Sequence, residues 1–392
     1  MTSDKTRERT EYKEGTKMEQ NAMIVDYLKT ALTQMGDENF DVEAFMKTST
    51  YQGIYAQTSR VLAEQDQGSE RVLQYWESKG LKKELHGTDT WDTTWASYLP
   101  LSCVKNKDAS IRYPLLFVLH GHENPIFLAE CYGYLDIAAS EELITIIPNN
   151  ENADFIDELF DYAVEHYPVD LSRVYMVGYS LGGAMTSRHV LRNPERYAAA
   201  GVGGMLFASG VAGDVEEYEG FVFPGETFTD EMIAHAAEIK MPVVHSLGEN
   251  EFHNLLPLYR DPGTDPAMVE QIRNSQIDWT GDNKIASVNN WRRVAGCRAH
   301  TREESKQIAL DSADPVIRML GYPFERTSVI TRNACDHFVG NCINEHGENL
   351  ARFIGVSGLP HFPSLASSEL VWEFMCQFAR NPKTHESYII AH

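Results

Sequence analysis

Apolar residues recur every three or four positions at Met18, Ala22, Val25, Leu28, Leu32 and Met35, and Gly36 follows. That spacing predicts one amphipathic helix with a glycine stop, preceded by a solvated tail over residues 1–17. A short helical stretch is expected at Val42–Met46. Another follows Ser69, a suitable N-cap, with Val72, Leu73 and Trp76 on one side and Gly80 at its end. Residues 18–88 therefore read as a helical appendage and 89–392 as the main domain.

From Trp91 the period changes. Thr90–Val104 is rich in Trp, Thr, Tyr and Leu, Asn106–Ser110 makes a polar turn, and Pro114–Leu119 is an apolar run, all marks of a sheet. Strand-like runs at Leu143–Ile147, Val174–Val177, Ala198–Val202 and Pro242–Leu247 then follow, interleaved with helical ones at Ala153–His166 and Leu181–Arg192. Apolar strands alternating with helices predict an α/β fold, a mostly parallel sheet covered on both faces. Later come a helix at Ser287–Val294, strand-like segments at Thr327–Thr331 and Ala351–Val356, and a closing helix at Ser367–Arg380. Segments 206–240 and 252–285, rich in Gly, Pro, Asp and aromatics, are expected to be cap-like insertions over one end of the sheet.

Composition narrows the function. With 34 Lys plus Arg against 57 Asp plus Glu the net charge is -23, which excludes nucleic acid as the main partner. No run approaches the ~20 apolar residues of a membrane span, and the first twenty residues hold no apolar signal core. Six cysteines lie scattered without CxxC pairs, which argues against structural zinc and suits a reduced cytoplasm; Cys335 and Cys342 could pair only in an exported protein. A cytoplasmic chain without membrane partners is expected.

The chemistry is concentrated in Val174-Tyr175-Met176-Val177-Gly178-Tyr179-Ser180-Leu181-Gly182-Gly183-Ala184, where a strand runs through Gly-x-Ser-x-Gly into a helix. A serine projected from so sharp a turn needs glycine at i−2 and i+2, and the following helix offers its N-terminal amides to a developing oxyanion, Leu181 N–H first. Leu119-His120-Gly121-His122 ends the central apolar strand, where the second oxyanion donor belongs, and the His122 N–H is the candidate. The serine needs a histidine base held by a carboxylate. His361, in Gly358-Leu359-Pro360-His361-Phe362-Pro363 before the last helix, is the candidate base. Gly248-Glu249-Asn250-Glu251 follows the strand ending at Leu247 and offers Glu249 as first choice of acid and Glu251 as alternative. Tyr179, Phe252, Tyr259 and Trp279 are candidate substrate-binding walls.

At these residues the sequence resembles the α/β-hydrolase superfamily, in its polyhydroxybutyrate depolymerase and feruloyl esterase-like branch, over about 95–380. Pro114–Gly121 resembles the branch's strand ending in Leu-His-Gly. Val169-Asp170-Leu171-Ser172-Arg173-Val174-Tyr175, leading into Gly178–Met185, resembles its nucleophile block. Asn193–Ala199 resembles the segment behind it, Asn290–Cys297 a helix ending in Asn-Gly-Cys, and Gly358–His361 with Leu370–Phe374 the histidine loop and its helix. The resemblance implies Ser180 as nucleophile and His361 as base. It aligns the family's acid with Glu249 when His245 is matched to its His-Gly-x-x-Asp loop, a departure in which Glu replaces Asp and Ser246 replaces Gly.

The expected activity is hydrolysis of a small-molecule carboxylic ester through an acyl-enzyme, on aromatic or short-acyl substrates, with no metal or organic cofactor. An acyltransferase or peptidase with the same triad, and a silent hydrolase-fold binding protein, are the alternatives. The N-terminal helices are a candidate surface for homo-oligomerisation.

Overall fold

The computed structural model describes residues 25, 28–30, 32–33, 40–62, 67–106, 108, 110–121, 125–206, 229–251, 255–261 and 280–390. Its centre is a ten-stranded sheet: β1 (Leu81–His86), β2 (Trp95–Pro100), β3 (Tyr113–Leu119), β4 (Ile144–Pro148), β5 (Val169–Tyr179), β6 (Ala199–Gly203), β7 (Val243–Asn250), β8 (Arg326–Arg332), β9 (Cys335–Ile343) and β10 (Asn349–Pro360). The spatial order is β1-β2-β4-β3-β5-β6-β7-β10-β9-β8. The six strands from β4 to β10 run parallel, and the pairs at either edge are antiparallel.

Every residue of β3, β4 and β6 is buried, as expected of parallel strands covered on both faces. The covering helices carry their own start signals. Asn152 caps Ala153–His166 by accepting from the Asp154 N–H, Thr280 caps Gly281–Val294, and Ser364 caps Leu365–Met375. The parallel core and flanking helices are those of an α/β-hydrolase fold.

Several expected boundaries move. The appendage, expected to reach residue 88, is shorter: Leu81–His86 is a strand that pairs along its whole length with β2, so the sheet begins at Leu81. Ser69 does cap the preceding helix, Glu70–Ser78, accepting from the Val72 N–H at 3.3 Å. The closing helix is Leu365–Met375 and stops short of Arg380, because Phe378–Arg380 forms β11 and pairs with β12 (Ser387–Ile389). Helices Arg302–Asp311 and Pro315–Leu320, and strand β9, had no counterpart in the sequence reading. His337 is buried on β9. Of the two insertions, 207–228, 252–254 and 262–279 lie outside the described residues. The part that is described includes helix Asp230–Ile239.

The N-terminal helices join the main core. Leu28, Leu32, Phe45, Tyr51, Ile54, Val72 and Trp76 are buried in the same cluster as the sheet residues, so much of their apolar face is covered by the chain itself. Beneath them Lys83 of β1 and Glu130 form an ion pair with both side chains fully buried. Glu130 also accepts from Trp76 Nε1 at 3.0 Å and from the Tyr98 hydroxyl. All six cysteines are free thiols. Among the described residues no helix is long and apolar enough to cross a membrane.

Candidate active site

β5 ends at Tyr179, and Ser180 turns the chain into helix Leu181–Arg192 with φ 57° and ψ −122°. A non-glycine residue at positive φ in this region stores about 1–3 kcal/mol and persists only where its surroundings hold it. They do so here. Ser180 N–H donates to the Gly203 carbonyl at 2.8 Å, and the Ser180 carbonyl accepts from Ala184 N–H at 3.1 Å. A Cβ on Gly178 would fall on the Gly182 carbonyl, and one on Gly182 would fall on the His120 carbonyl. The two flanking glycines are therefore demanded by close backbone approach, as their spacing predicts.

His361 lies one residue beyond β10, which breaks register with β7 between Val356 and Pro360. Its ring packs over the end of β6. The point where a Gly204 Cβ would lie is 2.6 Å from His361 Cε1, and Gly204 follows the Gly203 carbonyl that anchors Ser180. The serine turn and the histidine thus share one support.

The structure separates the two candidate acids. Glu251 is fully buried and its Oε2 meets His361 Nδ1, itself 3% exposed. Its other oxygen accepts from Gly248 N–H at 2.9 Å and from the Tyr179 hydroxyl at 3.4 Å. Glu249 is exposed and accepts instead from Gly358 N–H at 2.7 Å and Ser357 Oγ at 3.1 Å. Glu251, the alternative, rather than Glu249, the first choice, is the one that contacts His361, and the reason is structural. β7 continues past Leu247 to Asn250, so Glu251 is the residue that leaves its end.

Tyr179 sits among these residues: its hydroxyl donates to Glu251 and its ring lies 5.1 Å from the His361 ring. Burial, followed by the nearby Glu251 charge, pushes its hydroxyl pKa well above the ordinary tyrosine value. Tyr259 packs elsewhere: its carbonyl accepts from Arg302 Nε at 2.9 Å and its ring borders Gly321. His122, Phe252 and Trp279 lie outside the described residues. Leu181 begins the helix after the serine, its amide among those with no partner within the helix.

Two residues that the sequence reading passed over shape the site. Glu151 accepts from His120 N–H and fixes the end of β3, while burial pushes its carboxyl pKa well above the usual range. Tyr132 accepts Gly121 N–H at its hydroxyl, at 2.8 Å. Neither falls in a recognisable motif: Glu151 sits in a polar run after β4, and Tyr132 stands eleven residues beyond the glycine it contacts.

The elbow serine and the buried histidine–carboxylate contact thus lie at one end of the parallel strands, after β5, β10 and β7 respectively. Comparison with solved structures finds partial similarities. An acetyl xylan esterase from Aspergillus awamori is 16% identical, with 75% of this chain and 98% of that one covered and a TM-score of 0.43. The fluorophosphonate-binding serine hydrolase FphF from Staphylococcus aureus is 19% identical over 43% of this chain and 78% of its own, TM-score 0.34. An S-formylglutathione hydrolase from Agrobacterium tumefaciens is 16% identical over 51% and 85%, TM-score 0.34. No family model matches the chain. No curated protein matches it either.

Proposed function

We propose that the protein is a serine carboxylic-ester hydrolase with the triad Ser180, His361 and Glu251. The observation that carries this reading is the buried contact between Glu251 Oε2 and His361 Nδ1, beside a serine held at positive φ. A carboxylate at Nδ1 fixes the tautomer whose Nε2 can accept a proton, and a serine without such a base is a poor nucleophile.

In the first step Ser180 Oγ attacks the ester carbonyl carbon and gives its proton to His361 Nε2. The carbonyl electron pair moves onto oxygen, facing the Leu181 N–H at the start of the helix. Collapse expels the alcohol, which takes the proton from His361. Water, deprotonated by the same nitrogen, then releases the acid and restores Ser180. The substrate is a small-molecule ester, with aromatic and short-acyl esters the first to try.

Fluorophosphonate labelling with peptide mass spectrometry tests the reading. One adduct per chain on the Ser180 peptide is expected, with none in Ser180→Ala. A folded protein that does not react would overturn it. Product analysis with added alcohols or amines separates hydrolysis from acyl transfer.

A further inference from the structure

Tyr132 stands outside every motif, yet its hydroxyl lies against the same glycine as Ser180. The residue is 4% exposed. The point where a Gly121 Cβ would lie is 3.4 Å from Tyr132 Oη and 3.4 Å from Ser180 Cβ, so phenol and serine flank the same glycine. The Tyr132 ring lies 5.9 Å from that of Tyr179, which packs on His361. Its main chain is held as well: the Tyr132 carbonyl accepts from Ser368 Oγ, on the helix that follows the histidine loop.

The Gly121 N–H donates to this hydroxyl. That commits the amide of a glycine that lies against Ser180. It also polarises the phenol, because an oxygen that accepts one hydrogen bond donates a stronger one. A donor positioned before reaction needs no reorganisation as charge develops, the property that makes oxyanion donors effective.

We propose that the Tyr132 hydroxyl is a side-chain oxyanion donor, acting with the Leu181 N–H; the inference rests on the esterase reading above. As the Ser180 Oγ–carbon bond forms, the carbonyl electron pair moves to oxygen and the serine proton goes to His361. Tyr132 keeps its own proton throughout. Its hydrogen bond to the oxygen strengthens with the charge and relaxes when the electron pair returns and the alcohol leaves.

The test is Tyr132→Phe, assayed for kcat and KM on an activated ester and for inhibition by a trifluoromethyl ketone, which forms a tetrahedral oxyanion on serine. Loss of one oxyanion donor predicts a fall in kcat of about 100-fold or more with little change in KM. The inhibition constant should rise by a similar factor. 3-Fluorotyrosine at position 132 keeps shape, acceptor and donor and should retain most of kcat, which guards against a mere folding defect. A kcat within threefold of the parent, a loss confined to KM, or failure of the fluorotyrosine protein overturns the proposal. Ser180→Ala separates the two ideas. If it abolishes turnover while Tyr132→Phe does not, only the tyrosine role fails; if it retains turnover, the esterase reading fails with it.

Discussion

Replacing Glu251 by Gln changes one oxygen to an amide in a site with no room to rearrange. The carboxylate is fully buried and its two oxygens have different duties, Oε1 towards Gly248 N–H and Tyr179, Oε2 towards His361 Nδ1. A glutamine can keep only the first, since its carbonyl must face the Gly248 donor, which turns its NH2 towards the imidazole. Nδ1 then becomes an acceptor and the ring proton moves to Nε2, the nitrogen that takes the serine proton in the proposed mechanism. An uncharged partner also leaves the imidazolium unsupported. The analogous acid-to-amide change in serine proteases costs about 10⁴-fold in kcat. At 1.36 kcal/mol per factor of ten this is about 5 kcal/mol of transition-state stabilisation.

Glu249→Gln is the internal control. Its side chain is exposed, and the amide oxygen can still accept from Gly358 N–H. A surface interaction of this kind is worth about 0–1 kcal/mol, so kcat should change by less than about fivefold. The assay is steady-state hydrolysis of a chromogenic acetate ester near neutral pH, with melting temperatures to show that both variants fold. A large loss in Glu249→Gln with near-normal Glu251→Gln would refute the reasoning and return the acid to the position that the resemblance assigned.

Three further outcomes follow from packing and charge. His189 and His245 are buried, and desolvation lowers their pKa values to about 4 and about 3 from 6.5; below pH 6.5 the unfolded chain takes up protons that the folded one refuses. Each then costs up to about 1.4 kcal/mol of stability per pH unit as pH falls towards those values. His245→Phe, set against the parallel Phe353 ring 4.9 Å away, should flatten the acid side of a denaturation-versus-pH curve, and an unchanged slope would contradict this. Gly182→Ala drives a methyl into the His120 carbonyl and should cost about 1–3 kcal/mol in chemical denaturation, along with kcat, because the end of β3 must move. Lys83→Met leaves Glu130 as an unpaired buried charge and should lower stability by about 3–5 kcal/mol, whereas a change below about 1 kcal/mol would mean that water already reaches the pair.

The parts of the site that were legible in the sequence are those whose geometry is local. Gly178, Ser180 and Gly182 lie within one turn, and the steric demand that fixes them arises from their own backbone and from β3 beside it. The acid was harder because Glu249 and Glu251 are two residues apart, and strand alternation gives both the same face. What separates them is where β7 ends and where β10 breaks register, a pairing between segments about a hundred residues apart. The closing helix was overrun for a similar reason. Arg380 is buried and donates to the carbonyls of Tyr197, Ile239 and His385, contacts that no local periodicity announces.

β1 was hidden by its composition: Leu81-Lys82-Lys83-Glu84 does not look like a strand until Glu130 supplies the buried partner of Lys83. That pairing decides what the N-terminal region is for. A chain starting near Thr88 would lack β1, uncover the edge of β2 and leave Glu130 buried without its lysine, a loss of about 3–5 kcal/mol from the ion pair alone. It would also lose Trp76, Val72, Ile54, Tyr51 and Phe45 from the common core, and the Ser49 hydroxyl bond to the Asn333 carbonyl at the β8–β9 turn. Cys335, at that same turn, donates through Sγ to Ser357 at 3.1 Å, and Ser357 adjoins the segment leading to His361. The truncated protein should therefore be insoluble or markedly less stable, with turnover lost along with the fold. A truncated chain that stays folded and active, and differs from the full chain only in oligomeric state by size-exclusion chromatography with light scattering, would show instead that these helices serve association between copies.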